Sequence, residues 1–157
     1  MKNKKEIILE ELSNQFDKAK KELGFKSSFE EINEIFFIED CVLKQGYVSN
    51  QFSRQLCGRI VEMYNSWLGY LHGLIMPVPG NLIIMMESNV LTDNEKREIN
   101  KIIKKIVSLT STNTLLGLTK NKKEEAKFID NSVETWNKEL KPKITLIAEK
   151  INSEWKK

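Results

Sequence analysis

Residues that could do chemistry are sparse in this 157-residue chain, and their spacing seldom brings two of them together. His72 is the only histidine, so no His-pair or His–carboxylate zinc site can be assembled from one copy of the chain. As a general base it would need a nucleophile and an orienting carboxylate. Ser66, Glu62 and Cys57 fall on the same helical stretch. Ten to fifteen residues of helix, the separation of the last two from His72, is roughly 15–22 Å. His72 therefore reads as a packed or partly exposed histidine.

Four glutamates form two Glu-x-x-Glu pairs, Glu31 with Glu34 and Glu95 with Glu98. Carboxylates one helical turn apart on two helices can hold a Mg²⁺ between them, which would suit a metal-dependent hydrolase. Chance produces the same spacing in any Glu-rich helix, and Glu95 also fits a capping role after Thr92. A solvated face is the plainer reading, and no metal or cofactor is expected. Walker loops, dinucleotide fingerprints, CxxC pairs and nucleophile elbows are all missing from the sequence.

Lysine outnumbers arginine twenty-two to three, so each arginine is informative. Arg59 lies one turn before Glu62, where a planar guanidinium suits bidentate geometry better than a lysine would. Lys101, Lys104 and Lys105, with Lys96 and Arg97, cover the polar side of an amphipathic stretch. They are the candidate nucleic-acid contacts, a phosphate-facing stripe. No aromatic residue is interleaved there to stack on bases.

Charge excludes little else. Residues 1–91 carry ten basic and twelve acidic side chains, and residues 92–157 carry fifteen and ten, for a net charge of +3. That balance is too small to imply nucleic acid by itself. The opening MKNKKEIILEEL has a basic tip, but glutamates interrupt its apolar run, so it does not read as a secretory signal. Cys41 and Cys57 then fit free thiols in a reducing, cytoplasmic setting.

The chain is organised around residues 63–87, MYNSWLGYLHGLIMPVPGNLIIMME, which hold no Asp, Glu, Lys or Arg from Met63 to Met86. Pro77, Pro79 and Gly80 prevent a single straight helix, so the stretch reads as a long helix, a Pro-Gly corner and a short return helix. Asn65, His72 and Asn81 make it too polar and too broken for a membrane span. Buried core is the first expectation, with Leu82 and Ile83 inside. Met76, Val78 and Met86 are the candidate partner-binding residues, set nearer the surface at a subunit boundary.

The rest follows from helical periodicity. Ile8, Leu12, Phe16, Ala19 and Leu23 stripe a first helix over residues 2–23, closed by Gly24. Ser28 and Glu31 open a second, expected to run unbroken to Gly46. A third runs from about Ser49 to Met76 with Phe52, Leu56, Ile60, Met63, Trp67, Leu71 and Leu74 inward, and residues 81–89 return. Thr92 opens the fourth long helix, striped by Ile99, Ile102, Ile106, Leu109 and Leu116. After a polar break at Asn121, a last stripe runs from Ile129 through Trp136 to Trp155, straight through Pro142, which predicts one helix kinked there or two helices nearly in line.

These elements predict an all-α fold, a single domain over residues 1–157 that forms a bundle of about six helices around a central apolar helix. The leading functional expectation is a non-enzymatic soluble bundle acting through protein contact, as a homo-oligomer or with a protein partner. A nucleic-acid complex subunit using Lys101, Lys104 and Lys105 is the alternative, and the four-glutamate hydrolase comes last.

Overall fold

Side-chain caps set where the helices begin. In the computed structural model, which describes all of residues 1–157, the Asn3, Ser28 and Thr92 side chains each accept from the backbone three residues on. Glu6, Glu31 and Glu95 reach back to the cap N–H in turn, completing three reciprocal capping boxes. The elements are α1 Lys4–Leu23, α2 Phe29–Phe36, α3 Ile38–Gln45, α4 Phe52–Ile75, α5 Leu82–Val90, α6 Asp93–Thr119, α7 Lys122–Thr135 and α8 Lys141–Trp155. A π turn, Trp136–Leu140, joins α7 to α8 in one uninterrupted helical run, so seven helical rods make up an all-α architecture with no strands.

The expected unbroken second helix is in fact two. Phe37 sits in the left-handed region at φ 53°, ψ 49°, which ends α2 and starts α3. A phenylalanine resists that conformation, so neighbours must impose it. Arg59 Nε donates to the Phe36 carbonyl at 2.7 Å, the Phe37 N–H donates to the Asn33 carbonyl, and Asn33 Oδ1 accepts from the Glu39 N–H at 2.9 Å. The break turns Phe36 and Ile38 both into the core, a placement that one straight helix could not give two residues so close in sequence.

Pro142 is accommodated upstream of itself. A proline inside a helix removes one N–H and crowds the carbonyl four residues back. Here the backbone has already widened: the Lys141 N–H donates to Trp136 O, five residues back. The helical run therefore passes the proline without stopping, as the stripe predicts. The extra residue in the turn shifts the stripe, however, and Trp136 ends half-buried instead of fully inside.

One core of 31 buried residues draws on every helix except α5. α4 is its axis, packing along α6 and touching α1, α5 and α7. The inward face of α4 is Phe52, Leu56, Cys57, Ile60, Tyr64, Leu71 and Leu74. Tyr64 replaces the expected Met63 and Trp67 at the midpoint, both of which lie half-buried beside it. The Tyr64 hydroxyl donates to the Ser132 carbonyl at 2.6 Å, a bond that only a tyrosine could make at this position.

The strain at Phe37 is testable, because the ring is 46% exposed and contributes little burial. Phe37→Gly should raise the unfolding free energy by about 0.5–1 kcal/mol, since relief of the left-handed backbone outweighs the added freedom of glycine in the unfolded chain. Urea denaturation checks it. A loss of stability would mean that the ring, not the backbone, governs this break.

Candidate functional site

α5 is the element whose side chains the fold does not use. Its sequence, LIIMMESNV, is largely apolar, yet its one buried residue is Ser88. Two contacts hold it against α4. Ser88 Oγ donates to the Leu74 carbonyl at 2.6 Å, and Ile84 lies so near Gly73 that a Cβ there would meet Ile84 Cγ1 at 3.2 Å. Gly73 thus permits the close approach. The Asn81 side chain accepts from the Ile84 N–H and caps the helix start.

With Ile84 and Ser88 turned inward, the opposite face of α5 points to solvent. Leu82 is 71% exposed and Ile83 63%, so the expectation that both are buried is wrong. The reason is geometric: a nine-residue helix tied down at two positions one turn apart must turn its other residues outward. Met76, Val78 and Met86 are exposed as expected for partner-binding residues, and Met85 is partly so. Trp155, expected on the inner stripe of the last helix, is 51% exposed, with its indole N–H donating to Glu87 Oε1 at 3.1 Å. The uncharged run therefore divides in two: Tyr64, Leu71 and Leu74 are core, while Met76–Met86 is mostly surface, with Ile84 held inward. No helix is long and apolar enough to cross a membrane.

The polar candidates do not converge on a reactive centre. His72 is exposed. Ser66 Oγ donates to the Met63 carbonyl, and Glu62 pairs with Arg59 Nη1 at 2.9 Å. Cys57 is buried, and desolvation, with Glu125 adding to it, pushes its thiol up to about 12. It is not a nucleophile at neutral pH. Cys41, the other free thiol, is half-buried.

The four glutamates do not act together. Glu31 serves the α2 capping box, Glu95 bonds Lys150 at 2.7 Å, Glu98 pairs with both Lys101 and Lys143, and Glu34 is exposed. No three His, Cys, Asp or Glu side chains lie close enough together to hold a metal, so the two Glu-x-x-Glu pairs do not form one site. The α6 lysines are partly spoken for: Lys101 by Glu98 and Lys105 by Glu139 at 3.4 Å, leaving Lys104 free.

Two acidic residues that periodicity passed over have structural weight. Asp130 accepts from the Lys26 N–H, the Ser27 N–H and Ser27 Oγ at 2.7–3.0 Å, clamping the α1–α2 loop onto α7. Glu125, 3% exposed, faces Arg54 Nη1 at 3.7 Å. The signal for Glu125 was present in the sequence, because it stands four residues before Ile129 and so continues the inward stripe.

Glu95 links the start of α6 to α8, and its hydrogen bond from Lys150, followed by that from the Thr92 backbone, holds its carboxyl below the usual 4.5. A depressed carboxyl contributes stability above its unfolded value and loses it as pH falls through the folded one. Lys150→Met should therefore flatten the decline in stability below about pH 4.5, read as thermal midpoint against pH. An unchanged acid limb would show that the pair is screened out by solvent. Compared with known proteins, the chain matches no family model, no curated protein and no solved structure, so its function must be argued from its own residues.

Proposed function

We propose that this protein acts through protein contact, self-associating by the corner formed by the end of α4, residues 76–81 and α5. The observation that carries the reading is the exposure of Met76, Val78, Leu82, Ile83 and Met86, each more than half open to solvent, within one eleven-residue stretch. Single exposed apolar residues are ordinary, but a contiguous patch beyond a few hundred Å² on a monomer marks an interaction site. Trp155 stands beside α5 through its bond to Glu87 and extends the patch with an aromatic of the kind that anchors interfaces.

The chemistry of the patch favours a second copy as the partner. It carries no charge between Met63 and Met86, so nothing in it repels its own image across a two-fold axis. Methionines supply adaptable, polarizable packing. Pro77 and Pro79 fix two φ angles beside Gly80 at φ 93°, which keeps the two apolar flanks at a set spacing. The proposed role is thus non-enzymatic.

Light scattering at micromolar concentration should give the mass of a dimer. Met76→Asp and Met86→Asp, at exposed positions, should each change stability by no more than about 0.5 kcal/mol and keep the helical circular dichroism while shifting the mass to a monomer. A monomeric parent protein would refute the proposal, as would unfolding of both variants.

A further inference from the structure

Two irregularities of the backbone, the left-handed Phe37 and the π turn, border one cavity of about 300 Å³. It opens where the end of α2 meets the middle of α4 and the π turn, and Phe37, Trp67 and Trp136 line it. Left-handed non-glycine residues and π turns both concentrate at functional sites. The break at Phe37 serves the core by turning Phe36 and Ile38 inward, but glycine or asparagine would make it at lower cost. The Phe37 ring itself is 46% exposed and takes no part in the core, so the choice of phenylalanine needs another reason. Trp136 is likewise half-buried because of the extra residue in the π turn.

The rings are held in place by their neighbours. The two indoles pack with centroids 5.7 Å apart and tilted by 41°, and Tyr70 meets Trp67 edge-on at 6.3 Å. Met63, one turn before Trp67 on α4, adds a polarizable thioether to the same wall. Glu31, Glu34 and Phe37 follow one another at steps of three along α2, and all three reach the cavity. Glu31 gives Oε2 to the Ser28 N–H, whereas Glu34 has no ion-pair partner. The one cation on the wall is Lys141, which is exposed and also unpaired.

From this combination we infer that the cavity is an aromatic cage for a quaternary ammonium group, carried by a free choline-type solute. Aromatic rings attract a cation through their quadrupole, and two carboxylates add to the attraction. An anion would meet those carboxylates, and a neutral apolar ligand would gain nothing from them. A primary ammonium has three N–H donors to satisfy, and the wall offers it only Glu31, Glu34 and Asn137. A fully methylated nitrogen needs no acceptor and fits walls of ring and thioether. The volume stands at the small end of the roughly 300–1,000 Å³ of ligand sites, which suits a headgroup. Lys141 opposes the ligand charge, so its long exposed side chain must swing aside and weakens binding while present.

Tryptophan fluorescence of the full chain, titrated with choline, ethanolamine and dimethylbutanol at constant ionic strength, tests this. Dimethylbutanol is the uncharged alcohol in which carbon replaces the choline nitrogen. Choline should change the emission saturably and bind about ten-fold tighter than either of the others. Phe37→Leu, which keeps an apolar side chain but removes a ring, and Glu34→Gln, at an exposed position, should each weaken choline several-fold. Lys141→Ala should tighten it. Phe37→Gly should lose binding even as its stability rises, a split that a purely structural ring would not produce. No saturable response to choline would overturn the inference, and so would equal affinity for dimethylbutanol. An affinity indifferent to both Phe37→Leu and Glu34→Gln would overturn it as well. Phosphatidylcholine vesicles should not sediment the protein, and sedimentation with them would overturn the assignment to a free solute.

Discussion

The hydrogen bond from Tyr64 to the Ser132 carbonyl fixes how the central helix α4 meets the α7–α8 run, the longest of the bundle. Tyr64 is 1% exposed at the middle of α4, and its ring packs on Phe36 and Trp136 with centroids 5.8 and 6.5 Å away. The accepting carbonyl stands one turn before the π turn, where the Trp136 N–H is shared between Ser132 O and Val133 O. Tyr64 thus adds a full donor to a carbonyl that otherwise shares one N–H with its neighbour, where the helix is changing pitch. Burial, and then the charge of Glu139, push the phenol above its ordinary range, which favours the protonated, donating form.

From that contact the rest of the architecture follows. The π turn lets the helical run pass Pro142 and delivers Leu140, Ile144, Ile147 and Ile151 to the core. Phe36, pressed against Tyr64, is the last residue of α2. Its carbonyl would lack a helical donor at the break, and Arg59 supplies one from α4. The bidentate pairing with Glu62 that the sequence suggested for Arg59 is not formed, since Nη1 alone reaches Glu62 while Nε serves the Phe36 carbonyl. Arg59 answers an orphan carbonyl as well as the Glu62 carboxylate, and lysine, without the planar fork, could not serve both.

Most of the fold was legible because caps and stripes are local signals. Ser28–Glu31, Thr92–Glu95, Gly24 and the α6 isoleucines all act within one or two turns of their own position, and each reads the same in isolation as in the structure. What escaped depends on partners distant in sequence. Nothing around Phe37 announces a left-handed residue, because Arg59, twenty-two positions away, helps impose it. Leu82 and Ile83 look like core by composition, and only the anchoring of Ile84 and Ser88 to α4 turns them outward. The exposure of Met76 and Val78 was legible, because a Pro-Gly corner cannot be packed on all sides. The pairing of Arg54 with Glu125 was not, because 71 residues separate the two positions in sequence.

The two ends of α4 are consequently different in kind. The N-terminal end carries the Arg54–Glu125 pair and bare amides at Phe52 and Ser53, and the C-terminal end runs into an uncharged apolar corner after Ile75. Twenty-four residues of helix separate them, roughly 36 Å. That distance exceeds the Debye length of about 8 Å at physiological ionic strength, so charge bound at one end is not felt electrostatically at the other. The two ends are therefore separable by mutation, and any influence of one on the other would have to travel through the packing of α4 itself. Its midpoint is the Tyr64 hydrogen bond, where α2, α4 and the α7–α8 run are held together and where a shift in helix register would have to break a buried bond.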